Sequence, residues 1–168
     1  MRVLITKKQL AKRIKELGQE LSRHDENNIN PLPPVFICVL NGAFMFFTDL
    51  VRNYDKTCEL DFIRAKSYEG KDNSGGVSIT KDIEVDIQGR DIYIVEDIID
   101  TGNTMKELII HLNQKSPKSI KVVTMLKRKG DDHPIDYCGF EIGDEWVIGF
   151  GLDDNGLSRN LPDIYDIN

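Results

Sequence analysis

Residues 92–104 read IYIVEDIIDTGNT, and this stretch specifies a strand, a loop and the start of a helix. The apolar, β-branched run IYIV predicts a buried strand that ends at two adjacent acids, Glu96 and Asp97. Beyond the loop, Met105, Leu108, Ile109 and Leu112 recur at helical spacing. The first N–H groups of a helix lack intrahelical partners and the helix dipole is positive there, so Thr101, Gly102, Asn103 and Thr104 can wrap a phosphate. Glu96 and Asp97 carry the wrong charge for phosphate, but they suit sugar hydroxyls or a divalent cation that accompanies a polyphosphate. Phosphate, diol and cation within one loop point to a phosphorylated sugar. The plainer alternative is an exposed turn with surface acids.

The remaining sequence bounds this reading. It contains no G-x-x-x-x-G-K-[ST] and no G-x-G-x-x-G after a strand, so the usual nucleoside triphosphate and dinucleotide signatures are absent. Nothing matches G-x-S-x-G or H-E-x-x-H, and His24, His111 and His133 have neither metal nor nucleophile spacing, which makes them surface or structural residues. At 168 residues the chain is expected to be a single domain, 1–168, able to bury a core without disulfides or structural metal. Cys38, Cys58 and Cys138 are odd in number, lie in or near apolar stretches and form no C-x-x-C, so they read as reduced core thiols of a cytoplasmic protein. No apolar run approaches a membrane span, and no membrane partner is expected. A net charge of −6, with one compact basic run at Lys127, Arg128 and Lys129, argues against nucleic acid as a partner.

Thr6 and Gln9 form a capping box ahead of Leu10, Ile14, Leu17 and Leu21, which line one helical face. Pro31, Pro33 and Pro34 exclude a helix before PVFICVL, a buried strand, and GAFMFFTDLVR then reads as helix. SIKVVTML and EWVIGFG are read as further buried strands. Alternation of strand and helix predicts an α/β fold, a parallel sheet flanked by helices. Ligands of such sheets bind beyond the carboxyl ends of the strands, where the loops after Leu40, Val95, Leu126 and Gly149 are expected to gather. ELDFIRAKS and GVSITKDIEV, separated by the polar YEGKDNSG, predict an antiparallel hairpin, either a plain loop or a functional one.

Two acids, two aliphatics and then Asp-Thr-Gly-x-Thr closely resemble the signature of the type I phosphoribosyltransferases, which use phosphoribosyl diphosphate (PRPP). The resemblance extends through VLNGAF, the pair Ser67-Tyr68, WVIGFGLD and RNLP, and it is nearest to the hypoxanthine-guanine branch. It implies the type I fold with an antiparallel lid hairpin, whose loop spans about residues 67–77, and a small hood near the C-terminus that binds the purine. It implies purine salvage: transfer of the phosphoribosyl group from PRPP to hypoxanthine or guanine, giving IMP or GMP and diphosphate, with Mg2+ as cofactor. Relatives are usually dimers or tetramers, so a homodimer or homotetramer is expected.

By the same resemblance, Glu96 and Asp97 would hold the ribose hydroxyls, directly or through Mg2+, and Thr101, Gly102, Asn103 and Thr104 the 5′-phosphate. Asp100 would take the catalytic position, accepting a proton from the imidazole-ring nitrogen of the purine, ahead of the structural alternative that it caps the following helix, and it could do both. Lys127 would donate to the 6-oxo group and so reject adenine, or else be a solvated lysine of the basic run. Trp146 would stack on the purine, or else belong to the core, and the Val147 backbone would read the base edge. Asp153 matches a magnesium contact and Arg159 a diphosphate contact. Ser67 and Tyr68 would begin a lid that keeps water from a cationic ribosyl centre.

The chain departs from this pattern twice. Asn41 stands where many relatives have lysine, in a loop typically led by a cis peptide; the amides of Asn41 and Gly42 remain available to diphosphate, but any charge or subunit-bridging role of the lysine is lost. After Asp153 the segment DNGLSR replaces tyrosine and further aromatics, so closure of the rear wall is expected to differ. Two other functions compete with the salvage reading: a PRPP-sensing regulator of the same fold that binds nucleic acid, and a phosphoribosyltransferase that prefers xanthine. The acidic charge, and retention of Asp100, Lys127 and Trp146, weigh against the regulator.

Overall fold

The computed structural model describes residues 1–68, 76–130, 133 and 135–168. The chain opens with strand β1 (Arg2–Ile5) and helix α1 (Lys7–His24). The Thr6 hydroxyl accepts from the Gln9 N–H at 3.3 Å, and the Thr6 N–H donates to Gln9 Oε1 at 2.9 Å, so the capping box fixes where α1 starts. Strand β2 (Val35–Leu40), helix α2 (Phe44–Arg52), strands β3 (Glu59–Tyr68), β4 (Gly76–Lys81) and β5 (Asp91–Ile99), and helix α3 (Asn103–Asn113) follow. The chain then forms β6 (Ser119–Arg128), β7 (Tyr137–Ile142), β8 (Val147–Ile148) and β9 (Ile164–Asp166).

Six strands form the main sheet in the order β4-β3-β2-β5-β6-β7, all parallel except β4, which runs antiparallel to β3. Because side chains alternate along a strand, Phe36, Cys38, Tyr93, Val95, Val123 and Met125 pack on one face against α1 and α2. Val35, Ile37, Ile92, Ile94 and Val122 pack on the other against Met105, Leu108 and Leu112 of α3. Burial on both faces explains why β2 and the first half of β5 read as unbroken apolar runs. Ile109 is only half-buried, at the margin of that packing.

The structure corrects several expected boundaries. Strand β5 does not stop at the acids; Glu96 pairs with Thr124, Ile98 with Leu126 and Ile99 with Lys127, so both carboxylates lie on the strand itself. EWVIGFG is not a strand of the parallel sheet. Only Val147 and Ile148 are extended, within a separate three-stranded antiparallel sheet of order β1-β9-β8, and Gly149, Phe150 and Gly151 then turn the chain with φ of 93°, 50° and 100°. This second sheet, called the hood below, is not built from the C-terminal region alone, because one of its edge strands is β1.

The sixth strand of the main sheet is instead β7, YCGFEI, whose half-buried edge position and central glycine give it no continuous apolar run. Strand β4 ends at Lys81 rather than running through DIEV, because Asp61 Oδ2 accepts from the N–H groups of Glu84 and Val85 at 2.7 and 2.9 Å and turns that segment. The predicted lid loop lies mostly at residues 69–75, outside the described residues; its base is the pairing of Ser67 with Val77 and of Tyr68 with Gly76.

Candidate active site

The carboxyl ends of β2, β5 and β6 open on the same side of the sheet, as the parallel register requires. Strand β5 passes through Asp100 and Thr101 into Gly102, the N-cap of α3, which takes the left-handed conformation (φ 67°) with no side chain capping the helix. Asp100 therefore does not act as the cap. A cavity of about 170 Å3 sits at this junction, lined by Glu96, Asp97, Asp100, Thr101, Gly102 and Thr104. Acids, hydroxyls and the amide end of a helix thus face one space. Asn103, the first residue of α3, is exposed beside it.

Glu96 and Asp97 lie side by side, and the Asp97 N–H donates to Glu96 Oε1 at 3.0 Å. Burial pushes the Glu96 carboxyl well above the usual range, and the neighbouring charge of Asp97 adds to the shift. Burial likewise raises Asp97, opposed by hydrogen bonds and by the charge of Arg159. A crowded pair of acids of this kind suits a cation or hydroxyl donors. The Leu40–Asn41 peptide is cis, and Asp97 Oδ2 occupies the space that a side chain at Gly42 would need. Only glycine lets the β2 loop approach the acid so closely.

A second cavity, of about 290 Å3, is lined by Leu40, Asn41, Phe44, Met45, Gly151 and Arg159. The structure thereby brings together the two predicted diphosphate contacts, which are far apart in sequence. Arg159 donates through Nη1 to the Gly151 carbonyl at 2.6 Å and pairs through Nη2 with Asp153 Oδ1 at 2.5 Å. Asp153 is thus bound to Arg159, and among the described residues no group of three or more His, Cys, Asp or Glu side chains is arranged as a metal cage. The divergent segment after Asp153 forms a tight turn in which Asp154 and Leu157 exchange backbone hydrogen bonds of 3.3 and 3.0 Å, leaving Leu157 exposed.

Of the residues expected to meet a purine, Lys127 lies on β6, Trp146 immediately before β8 and Val147 within β8. Lys127 pairs with Glu141 Oε2 at 3.1 Å, and its side chain is 30% exposed, so it is neither fully solvated nor sealed in. Trp146 is 56% exposed, which removes the core alternative. Val147 is buried in β8, in register with Asp166. Ser67 is exposed at the end of β3.

Two residues at the site carry no local sequence signal. Arg128, which reads as part of a basic run, donates to Asp100 Oδ1 through Nε at 3.1 Å. His133 lays its ring over Gly102, filling the space a side chain there would take. Both contacts join residues about thirty positions apart in sequence, Arg128 to Asp100 and His133 to Gly102, which local spacing does not encode.

The phosphoribosyl transferase domain family matches residues 4–155. The hypoxanthine-guanine-xanthine phosphoribosyltransferase of Tritrichomonas foetus is 43% identical over 165 residues, covering 96% of this chain and 88% of that protein. The hypoxanthine-guanine phosphoribosyltransferase of Aquifex aeolicus is 37% identical, covering 98% and 93%. Among solved structures, a hypoxanthine-guanine phosphoribosyltransferase from Bacillus anthracis superposes with a TM-score of 0.92 at 37% identity, covering all of this chain and 99% of that one. Fold, motif and these similarities agree, and the chain belongs to the phosphoribosyl transferase domain family.

Proposed function

We propose that the protein transfers the 5-phosphoribosyl group of PRPP to hypoxanthine or guanine, forming the nucleoside monophosphate and diphosphate in purine salvage. The observation that carries this reading is the cavity at the β5–α3 junction, where paired acids, Asp100 and the phosphate loop line one space. The relatives' names supply the chemistry that such a space serves.

In this mechanism the amides and hydroxyls of Thr101, Gly102, Asn103 and Thr104 hold the 5′-phosphate, and Glu96 and Asp97 hold the ribose hydroxyls. The amides of Asn41 and Gly42 and the guanidinium of Arg159 bind the diphosphate, whose charge grows as the anomeric C–O bond breaks. Trp146 stacks on the base, the Val147 backbone reads its edge, and Lys127 donates to the 6-oxo group. Asp100 accepts the proton of the imidazole-ring nitrogen as the base attacks the anomeric carbon. Ser67 and Tyr68, at the root of the hairpin, exclude water from that carbon. Glu96 and Asp97, joined by Asp153 if it gives up its pairing with Arg159, would hold Mg2+, a metal that one or two carboxylates suffice to bind. When bound, the ion supplies positive charge to the departing diphosphate.

The three thiols are free, and a reducing compartment, the cytoplasm, is part of this reading. Among the described residues no helix is long and apolar enough to cross a membrane. A homodimer or homotetramer belongs to it as well, supported by the exposed Phe44 beside Asn41, an apolar surface that assembly would cover. Sedimentation velocity measures that state.

The deciding experiment is a spectrophotometric assay with PRPP and Mg2+ against hypoxanthine, guanine, xanthine and adenine in parallel. Turnover of a 6-oxopurine but not adenine supports the reading, and no turnover with any base rejects it. Xanthine is included because the Tritrichomonas foetus relative is named for all three 6-oxopurines.

A further inference from the structure

We infer that Arg128 is a positioning residue that ties the proton-accepting carboxylate of Asp100 to the segment carrying the base-stacking Trp146. Its guanidinium spans the two. Nε donates to Asp100 Oδ1 at 3.1 Å, while Nη1 donates to the carbonyls of Gly143 and Glu145 at 2.7 and 3.1 Å. Glu145 immediately precedes Trp146. The root of the bridge is fixed as well, because Arg128 is in register with Ile142 of β7, and the next N–H, of Lys129, donates to the Ile142 carbonyl at 2.8 Å.

The inference rests on the phosphoribosyl-transfer reading of the site. Under that reading Asp100 accepts a proton from the base while Trp146 holds the base, so their relative position decides whether the carboxylate meets the ring nitrogen. Asp100 has little else to hold it, since its side chain is 64% exposed and does not cap α3. A guanidinium is planar and its donors point in fixed directions, so it sets a distance between two partners as well as balancing a charge. With Oδ1 occupied by Arg128, the carboxylate presents Oδ2 to the base. Lysine, a point charge on a flexible stem, cannot bridge both sides.

The test is a double-mutant cycle on the full chain. Steady-state kinetics with PRPP, Mg2+ and hypoxanthine are measured for wild type, Arg128→Gln, Asp100→Asn and the double variant, with Arg128→Lys alongside. Arg128→Gln is expected to lower kcat roughly tenfold with the KM for PRPP unchanged, within the range that loss of catalytic positioning produces. In the Asp100→Asn background the same substitution is expected to lower kcat less than twofold, because the group it positions is gone. Arg128→Lys is expected to behave like Arg128→Gln. A folding defect would lower kcat equally in both backgrounds, so an equal loss overturns the inference, as does full activity in Arg128→Lys, which would leave only a charge effect. Time-resolved anisotropy of Trp146, the single tryptophan, gives a reading independent of turnover: its segmental motion increases in Arg128→Gln, and unchanged motion counts against the bridge. Inactivity of the wild-type enzyme with every base would remove the transfer reading itself, a result distinct from an additive cycle.

Discussion

Asp100 can be replaced at little structural cost, because its side chain is mostly exposed and its ion pair with Arg128 is of a kind worth about 0–1 kcal/mol. Asp100→Ala is therefore expected to fold normally and to lose roughly 10²- to 10⁴-fold in kcat, the usual contribution of a positioned general base. Thermal melting and steady-state kinetics on the same preparation separate the two effects; near wild-type kcat would take the proton-accepting role from this residue. Lys127→Ala is expected to narrow the preference for hypoxanthine over adenine about tenfold or more, since under the proposed reading the amino base would leave this half-buried donor without an acceptor. Equal selectivity in competition assays would place Lys127 outside the base pocket. Asp100 and the turn of residues 101–104 are legible in sequence because their residue types are packed into a few consecutive positions, and the structure sets them around one cavity. Arg128 and His133 are not, since their meaning comes from what the fold sets beside them. Trp146 shows the opposite failure: spacing alone left stacking and core as alternatives, and only its exposure in the structure rules out the core.

Among the elements, β5 carries both the acids of the site and, at its other end, a polar anchor. Asp91 accepts from Asn28 Nδ2 at 2.9 Å, Asn30 Nδ2 at 3.0 Å and Ser119 Oγ at 2.6 Å, joining the strand to the turn before β2 and to the start of β6. Burial pushes this carboxyl up, but those hydrogen bonds and the charge of Lys118 outweigh it and hold it below the usual carboxylate range. A depressed folded-state pKa stabilises above the unfolded value, about 3.9, and that stability disappears as pH falls through the lower folded value. Asp91→Ala is accordingly expected to cost about 2–3 kcal/mol at pH 7, with the gap from wild type shrinking below about pH 4. Urea unfolding at pH 7 and pH 3 measures both; a gap independent of pH would assign the cost to lost packing. Elements buried on both faces, β2, β5 and β6, are legible from their apolar runs. Strand β7 at the sheet edge and the two-residue β8 are not, because half-burial and short length leave no periodic signal.

Across the whole molecule, the hood is made from both ends of the chain. Arg2 pairs with Asp166 in register, with an ion pair at 3.0 Å between them, and Val147 pairs with Asp166 on the opposite edge of the same strand. Strands of four, two and three residues cannot announce a partnership more than a hundred residues away, which is why the hood appears in sequence only through resemblance. Its inner side chains do not form a core of their own. Ile5, Val147, Leu152 and Ile164 pack in one cluster with Leu10, Phe36 and Phe46 of the main body. A three-stranded sheet this short has too little surface to be stable alone, so its stability is borrowed from that shared cluster. The hood and the main sheet should therefore unfold together as one domain. Trp146 fluorescence reports the hood, and far-UV circular dichroism reports the helices and the six-stranded sheet; in equilibrium urea titrations their midpoints are expected to coincide. A fluorescence transition at clearly lower urea would make the hood a separate cooperative unit, and the surface around Trp146 could then open while the β5–α3 junction stays folded.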